Sequence, residues 1–258
     1  MNTKDLGYKD TQEKLQVRIE AHKNFSNFSL EDWIENNLEI SAGHPVLDLG
    51  CGSGNLFPVI SDMVSPQGVV LGMDKDFSLL KKARKVNNVR SKILCINSDM
   101  NGQIPILSQS IDVLMAMFSI YYADSARNVL SEVNRLLKKS GKFYFIGPAG
   151  SNAEELLDFN ECLFGFKMDQ KGQARTKRLE SEFLPIAQEL FKSVKMKRIK
   201  RKLVFPNKSK FIDYYMATLL FEESMQRTGK RIDWEQLIAL DVNSLEVSKE
   251  MVLVTGKA

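Results

Sequence analysis

The residues best suited to chemistry form one short run. Asp48, Leu49, Gly50, Cys51, Gly52, Ser53 and Gly54 follow directly on an apolar segment, and a stretch compatible with a helix begins just beyond them. Glycines at alternate positions let the chain turn sharply and let a ligand touch the backbone. A cofactor is therefore expected at this loop, at the carboxyl end of a strand. A dinucleotide fingerprint counted from Gly50 needs Gly or Ala where this chain has Asn55, so the spacing argues against NAD.

Asp48 adds a charge argument. A carboxylate repels a pyrophosphate, whereas S-adenosylmethionine offers it a sulfonium and an ammonium. Two further aspartates stand at later strand ends. Asp74 lies twenty positions beyond Gly54 and is placed to accept hydrogen bonds from both ribose hydroxyls. Asp99, in INSDM, can accept from an adenine amino group, with Ile96 and Met100 as apolar surface for the ring. Any one of the three can equally be a turn or cap residue. Three in succession beside a glycine loop point to a cofactor site.

The segments VLDLGCGSG, GMDKD, NSDMNGQIPILSQSIDVLMAMFSIYYAD and EVNRLLKKSGKFYF together resemble class I S-adenosylmethionine-dependent methyltransferases of the type 11 group. That group includes quinone-biosynthesis and many natural-product enzymes. The resemblance covers about residues 45–147. It implies cofactor contacts by Asp48, Gly50, Gly52, Asp74, Lys75, Asp99 and Met100, and by the backbone near Met117. Two departures stand out. Tyr121 and Tyr122 occupy the place of a histidine pair found in many relatives, and the usual LKPGG turn reads Leu137, Lys138, Lys139, Ser140, Gly141.

The elements that position these residues follow from the apolar pattern. The runs PVLDLG, GVVLGMD, KILCIN, IDVLMAMF and KFYFIG alternate with segments long enough for crossover helices, at 56–63, 77–87 and 125–139. The expected fold is α/β: a Rossmann-like, doubly wound, seven-stranded, mostly parallel sheet. N-terminal helices and helical insertions after strands 5 and 6 are expected to form a cap. The expected divisions are N-terminal helices over 1–44, the cofactor-binding core over 45–147, the rest of the core with an insertion over 148–206, a helical cap over 207–247 and a last strand over 248–258. Ser29 is expected to cap the helix LEDWIENNL, and 148–178 holds one expected helix, SNAEELLDFNECLF.

Because the sulfonium methyl is already electrophilic, the protein mainly has to align an acceptor behind it for in-line displacement. An acceptor that must lose a proton needs a base, and the candidates are His22, Tyr121, Tyr122 and Asp124. In FIDYYMATLLFEESM, Phe211, Tyr214, Tyr215 and Met216 can roof an apolar substrate pocket, or pack an amphipathic helix onto the domain.

Composition bounds the setting. The 258 residues are 43% hydrophobic, enough for a full core, and carry a net charge of +4. The opening MNTKDLGYKD lacks the layout of a signal peptide, and no apolar run is long enough to span a bilayer. Three widely spaced cysteines (Cys51, Cys95, Cys162) suggest neither a disulfide framework nor a metal site, so a cytoplasmic location is expected. The basic run over 192–210 reads as a solvated strand edge, with nucleic-acid or anionic-membrane contact as the other reading.

The expected reaction is methyl transfer to an O, N or C atom of a small molecule. Two other classes remain open: an RNA or protein methyltransferase, and a non-catalytic cofactor-binding subunit. Against the first, Ala116, Met117, Phe118 and Ser119 stand where a nucleic-acid enzyme carries an Asn/Asp-Pro-Pro-Tyr/Phe motif.

Overall fold

The computed structural model describes residues 11–242 and 244–258, so the reading of the opening MNTKDLGYKD lies outside the described residues. Seven strands form one sheet: β1 (Pro45–Leu49), β2 (Val69–Asp74), β3 (Lys92–Asn97), β4 (Ile111–Met117), β5 (Leu137–Pro148), β6 (Lys192–Val204) and β7 (Glu246–Lys257). Their order is β3-β2-β1-β4-β5-β7-β6. Strands β1 to β5 are parallel to their neighbours, while β7 runs antiparallel to both β5 and β6. From β1 the chain winds outward one way through β2 and β3, then the other way through β4 and β5. The reversal between β1 and β4 opens a crevice at their carboxyl ends, where ligands bind in such sheets.

Two-residue periodicity sends alternate side chains of each strand into two separate layers. Leu47, Leu114, Phe143 and Phe145 pack beneath α5 (Ala126–Leu136) and α8 (Leu184–Leu190). Val46, Val70, Val113 and Met115 pack on the opposite face against α2 (Leu30–Asn37), α3 (Phe57–Val64) and α4 (Phe77–Ala83). Helix α5 turns Val129, Leu130, Val133 and Leu136 toward the sheet, and the Ser125 hydroxyl caps its start by accepting from Asn128 N–H. Ser29 caps α2 in the same way through Asp32 N–H, as its sequence predicts.

A third core belongs to the cap. It joins α1 (Gln12–Phe25), α6 (Glu154–Phe164), α9 (Lys208–Met216), α10 (Leu219–Thr228) and α11 (Trp234–Ala239). Helices α9 to α11 connect the end of β6 to the start of β7, and because β7 is reversed, both points lie at the carboxyl edge of the sheet. Topology thus sets the cap at the same edge of the sheet as the crevice.

Two local expectations are corrected. Residues 137–141 are not a turn before a strand but part of β5, whose register with β4 jumps from Ile111↔Leu137 to Val113↔Lys142. A Cβ at Gly141 would lie 2.9 Å from the Lys138 carbonyl oxygen, so the bulge needs glycine there. The segment 148–178 holds a second helix, α7 (Gln170–Arg178), whose sequence QKGQARTKR has no apolar stripe. It is capped by Asp169, which accepts from Gly172 N–H at 2.6 Å, and it runs through a π turn, Leu179–Phe183, into α8.

Candidate active site

The loop after β1 is shaped by three glycines with positive φ: Gly50 at 80°, Gly52 at 55° and Gly54 at 75°. Gly50 and Cys51 both donate their N–H to the Met73 carbonyl, at 2.7 and 3.0 Å, which ties the loop to the end of β2. The glycines have different reasons to lack a side chain. A Cβ on Gly50 would meet the Ser119 Cβ at 2.3 Å, and one on Gly54 would meet the Phe57 ring at 2.7 Å. A Cβ on Gly52 would meet nothing within 4 Å. The backbone at Gly52 therefore borders open space, as a ligand cradle requires.

Asp74 lies beside that opening. One carboxylate oxygen accepts from Gly52 N–H and the other from Asp76 N–H, both at 2.8 Å. Lys75 is exposed, and its carbonyl, like that of Asp74, accepts from the Asn97 amide at 3.0 Å. Asp48 is buried at the end of β1, and desolvation, with the Asp74 carboxylate nearby, raises its pKa to about 7. A buried carboxyl beside a second carboxylate is suited to a cationic ligand, which would hold Asp48 ionised.

The other side of the crevice follows β3 and β4. Asp99 is exposed and accepts from Asn101 N–H at 2.9 Å, and the Asn101 side chain accepts from Asp124 N–H at 2.7 Å. The Met100 methyl lies 3.6 Å from where a Gly50 Cβ would be, so this side chain reaches the loop. Met117 ends β4 in the core, and Phe118 follows with φ at 59°, its N–H donated to the Ile146 carbonyl at 2.7 Å. Left-handed backbone is strained for such a residue. Ser119 donates its hydroxyl to the Leu49 carbonyl, latching β4 to the glycine loop.

Tyr121 and Tyr122 lie in a 3-10 turn, Ile120–Tyr122, with ring centroids 4.7 Å apart. Arg178 supports this turn from below, donating to the carbonyls of Tyr121 and Ala123 and pairing with Glu182. The Arg175 guanidinium forms a forked pair with Glu223 at 2.8 and 3.2 Å, which joins α7 to α10.

His22 lies on α1, where its Nε2 is 3.4 Å from the Tyr214 hydroxyl. Burial, aided by the charges of Arg201, Lys249 and Arg18, holds its pKa well below the usual imidazole value, so the ring is neutral at pH 7. Tyr214 is buried in the cap core, packed on the Phe205 ring beside His22. Tyr215 is buried, donates its hydroxyl to Asn160 at 2.6 Å and packs edge-on against Phe159. Those contacts account for it as part of the cap core.

The structure thus gathers Asp48, Gly50, Gly52, Asp74 and Met100 around one opening, and sets His22 and Tyr214 in a second group within the cap. Sequence reasoning missed Ser119, Phe118, Arg178 and Arg201. The Arg201 guanidinium lies 5.4 Å from the Phe28 ring and 6.0 Å from the Phe118 ring, the latter just after β4. Its signal was present in the two-residue period of β6, where Ile199, Arg201 and Leu203 share one face.

A reversing parallel sheet, a glycine loop after β1 and a carboxylate ending β2 together make a Rossmann-like arrangement. Residues 47–145 match the family described as "Methyltransferase domain". Over 105 residues the chain is 32% identical to a malonyl-[acyl-carrier protein] O-methyltransferase of Legionella pneumophila, covering 40% of this chain and 36% of that protein. Over 108 residues it is 33% identical to a demethylmenaquinone methyltransferase of Lactobacillus johnsonii, covering 41% and 44%. The chain thus spans less than half the length of these relatives. Among solved structures, the YcgJ protein of Bacillus subtilis superposes with a TM-score of 0.60 at 15% identity, over 88% of this chain and 97% of that one. A SAM-dependent methyltransferase of Aquifex aeolicus superposes with a TM-score of 0.54 at 16% identity, over 74% and 91%. These likenesses establish the fold. Among the described residues, no helix is long and apolar enough to cross a membrane.

Proposed function

We propose that this chain transfers a methyl group from S-adenosylmethionine to an O, N or C atom of a small-molecule acceptor. The observation that carries the reading is the open space beside Gly52, bordered by the Asp74 carboxylate and lying on the loop that begins next to buried Asp48. Asp74 keeps lone pairs for two ribose hydroxyls while it holds the loop through Gly52 N–H. Asp48 is assigned to the cationic end of the cofactor, and Asp99 and Met100 to the adenine, with Lys75 and the Met117 backbone at the margins.

When bound, the cofactor supplies an electrophilic methyl, and the protein contributes alignment and exclusion of water. The cap supplies the exclusion, since its helices emerge at the carboxyl edge of the sheet. A proton leaving the acceptor has four candidate destinations: neutral His22, Tyr121, Tyr122 and Asp124. The small-molecule class is supported by a relative whose name refers to demethylmenaquinone. Three free cysteines suit a reducing compartment, which supports a cytoplasmic location.

The test is turnover of methyl-labelled S-adenosylmethionine with a panel of hydroxylated, amino and enolisable metabolites. Formation of S-adenosylhomocysteine that depends on the acceptor is expected. Asp74→Ala should lower it by about tenfold or more, the worth of hydrogen bonds to a charged group. Binding of the cofactor without turnover on any acceptor would favour a non-catalytic subunit.

A further inference from the structure

Arg201 and Lys249 are directly opposite each other on β6 and β7 and project to the same face of the sheet. Like charges in that position repel. The cations around them are paired: Arg198 with Glu180 and Glu250, Lys202 with Glu246, and Lys200 4.0 Å from Glu250. Among the described residues, no ion pair takes Arg201 or Lys249. The positive charge of Lys249 helps hold the Glu155 carboxyl below its usual range, and that carboxylate already accepts from Ser248 N–H at 2.9 Å and from the Ser248 hydroxyl at 2.6 Å.

The surroundings of Arg201 make this unusual. Along its face of β6 its neighbours are Ile199 and Leu203, with Met251 and Val247 opposite them, all buried. Its closest rings are Phe28 and Phe118. The Nε of Arg201 and the Nδ1 of His22 are shielded from solvent, and both lack a hydrogen-bond partner. A guanidinium in an apolar setting without an anion is costly, and so is an orphaned N–H. Tyr214 can donate its hydroxyl to His22 Nε2, which leaves the ring proton on Nδ1 as a donor. The Lys249 ammonium lies 5.3 Å from the Tyr214 ring, on the same side of the cap. These donors stand next to Phe118, one residue from the Ser119 latch on the glycine loop.

From this geometry we infer that the methyl acceptor carries an oxyanion, a carboxylate or a phosphate, received by Arg201 together with Lys249 and His22 Nδ1–H. The forked guanidinium suits planar, two-point recognition of such a group, and the Phe28 and Phe118 rings offer apolar surface to the carbon skeleton that bears it. The inference rests on the acceptor-binding half of the proposed function. Arg201 is a binding residue here and takes no part in proton transfer.

The experiment uses the full chain, with and without S-adenosylhomocysteine, and three probes of one shape: benzoate, phenyl phosphate and benzamide, titrated by ligand-observed NMR. At least one anion should bind about tenfold more tightly than benzamide, and Arg201→Gln should abolish that preference. Whichever anion binds identifies the group. Lys249→Met should weaken the same anion severalfold and keeps the test open if the arginine variant does not fold. Equal binding of benzamide and both anions, unchanged anion binding in the variants, or no anion binding with or without S-adenosylhomocysteine would overturn the inference. Because S-adenosylhomocysteine affinity is read separately, loss of the cofactor site is distinguishable from loss of the anion site.

Discussion

Asp48 shows how a single buried group links stability to binding. With its pKa raised to about 7 by burial and by Asp74, the carboxyl is stabilising when protonated. That contribution is complete below the unfolded carboxyl value near 4 and is lost as pH rises through about 7. Ionising Asp48 without a cationic partner therefore costs roughly 4 kcal/mol. Asp48→Asn should be more stable than the parent chain at pH 8 and little different at pH 4, which chemical denaturation at the two values would read. Cofactor affinity should move in the opposite direction. S-adenosylmethionine binding should weaken as pH falls below 7, by up to about tenfold per unit, and Asp48→Asn should bind weakly with a flat profile. A parallel pH dependence in the variant would remove Asp48 from the cationic end of the site. Such residues were legible because each aspartate ends an apolar run at the position where strands deliver ligands. Ser119, Arg178 and Arg201 were not, because their partners, Leu49, Tyr121 and Phe118, are set by tertiary contact and leave no local spacing.

Among the elements, the glycine loop separates structural from functional constraint. Gly50 and Gly52 both have positive φ, yet only Gly50 is crowded: a Cβ there would stand 2.3 Å from the Ser119 Cβ, whereas one at Gly52 would enter open space. Gly50→Ala should force apart the latch between β1 and β4 and lower the melting temperature sharply. Gly52→Ala should cost only about 1 kcal/mol of left-handed strain, while its methyl occupies cofactor space and weakens S-adenosylhomocysteine about tenfold or more. Equal effects of the two substitutions on folding and binding would contradict this division. Most helices were legible from apolar stripes and caps, as with Ser125 before α5 and Ser29 before α2. Helix α7 was not, because QKGQARTKR buries only Gly172 and Arg178 and owes its place to Asp169 and to the ion pair of Arg175 with Glu223. The basic residues of β6 read in sequence as a solvated edge. That holds for the pairs of Arg198 and Lys202 with acidic neighbours, and fails at Arg201, which the same alternation turns inward.

At the scale of the whole molecule, the reversed strand β7 makes the arrangement work. Inserted between β5 and β6, it returns the cap helices to the edge of the sheet where the glycine loop opens. Strand count and winding were legible from alternating apolar runs, whereas the position of β7 depends on pairing between segments distant in sequence. The cap carries a core of its own around Phe211, Tyr215 and Phe221, with Asn160 accepting from both Tyr215 and Ser224. Sheet, loop and cap converge on one crevice, and the central claim is that this crevice holds S-adenosylmethionine. Calorimetric titration of S-adenosylhomocysteine into the full chain at pH 8 tests that most directly. Saturable binding to a single site with a Kd of roughly micromolar order is predicted. The absence of any binding heat, with the chain folded by circular dichroism and no displacement of labelled S-adenosylmethionine, would contradict it.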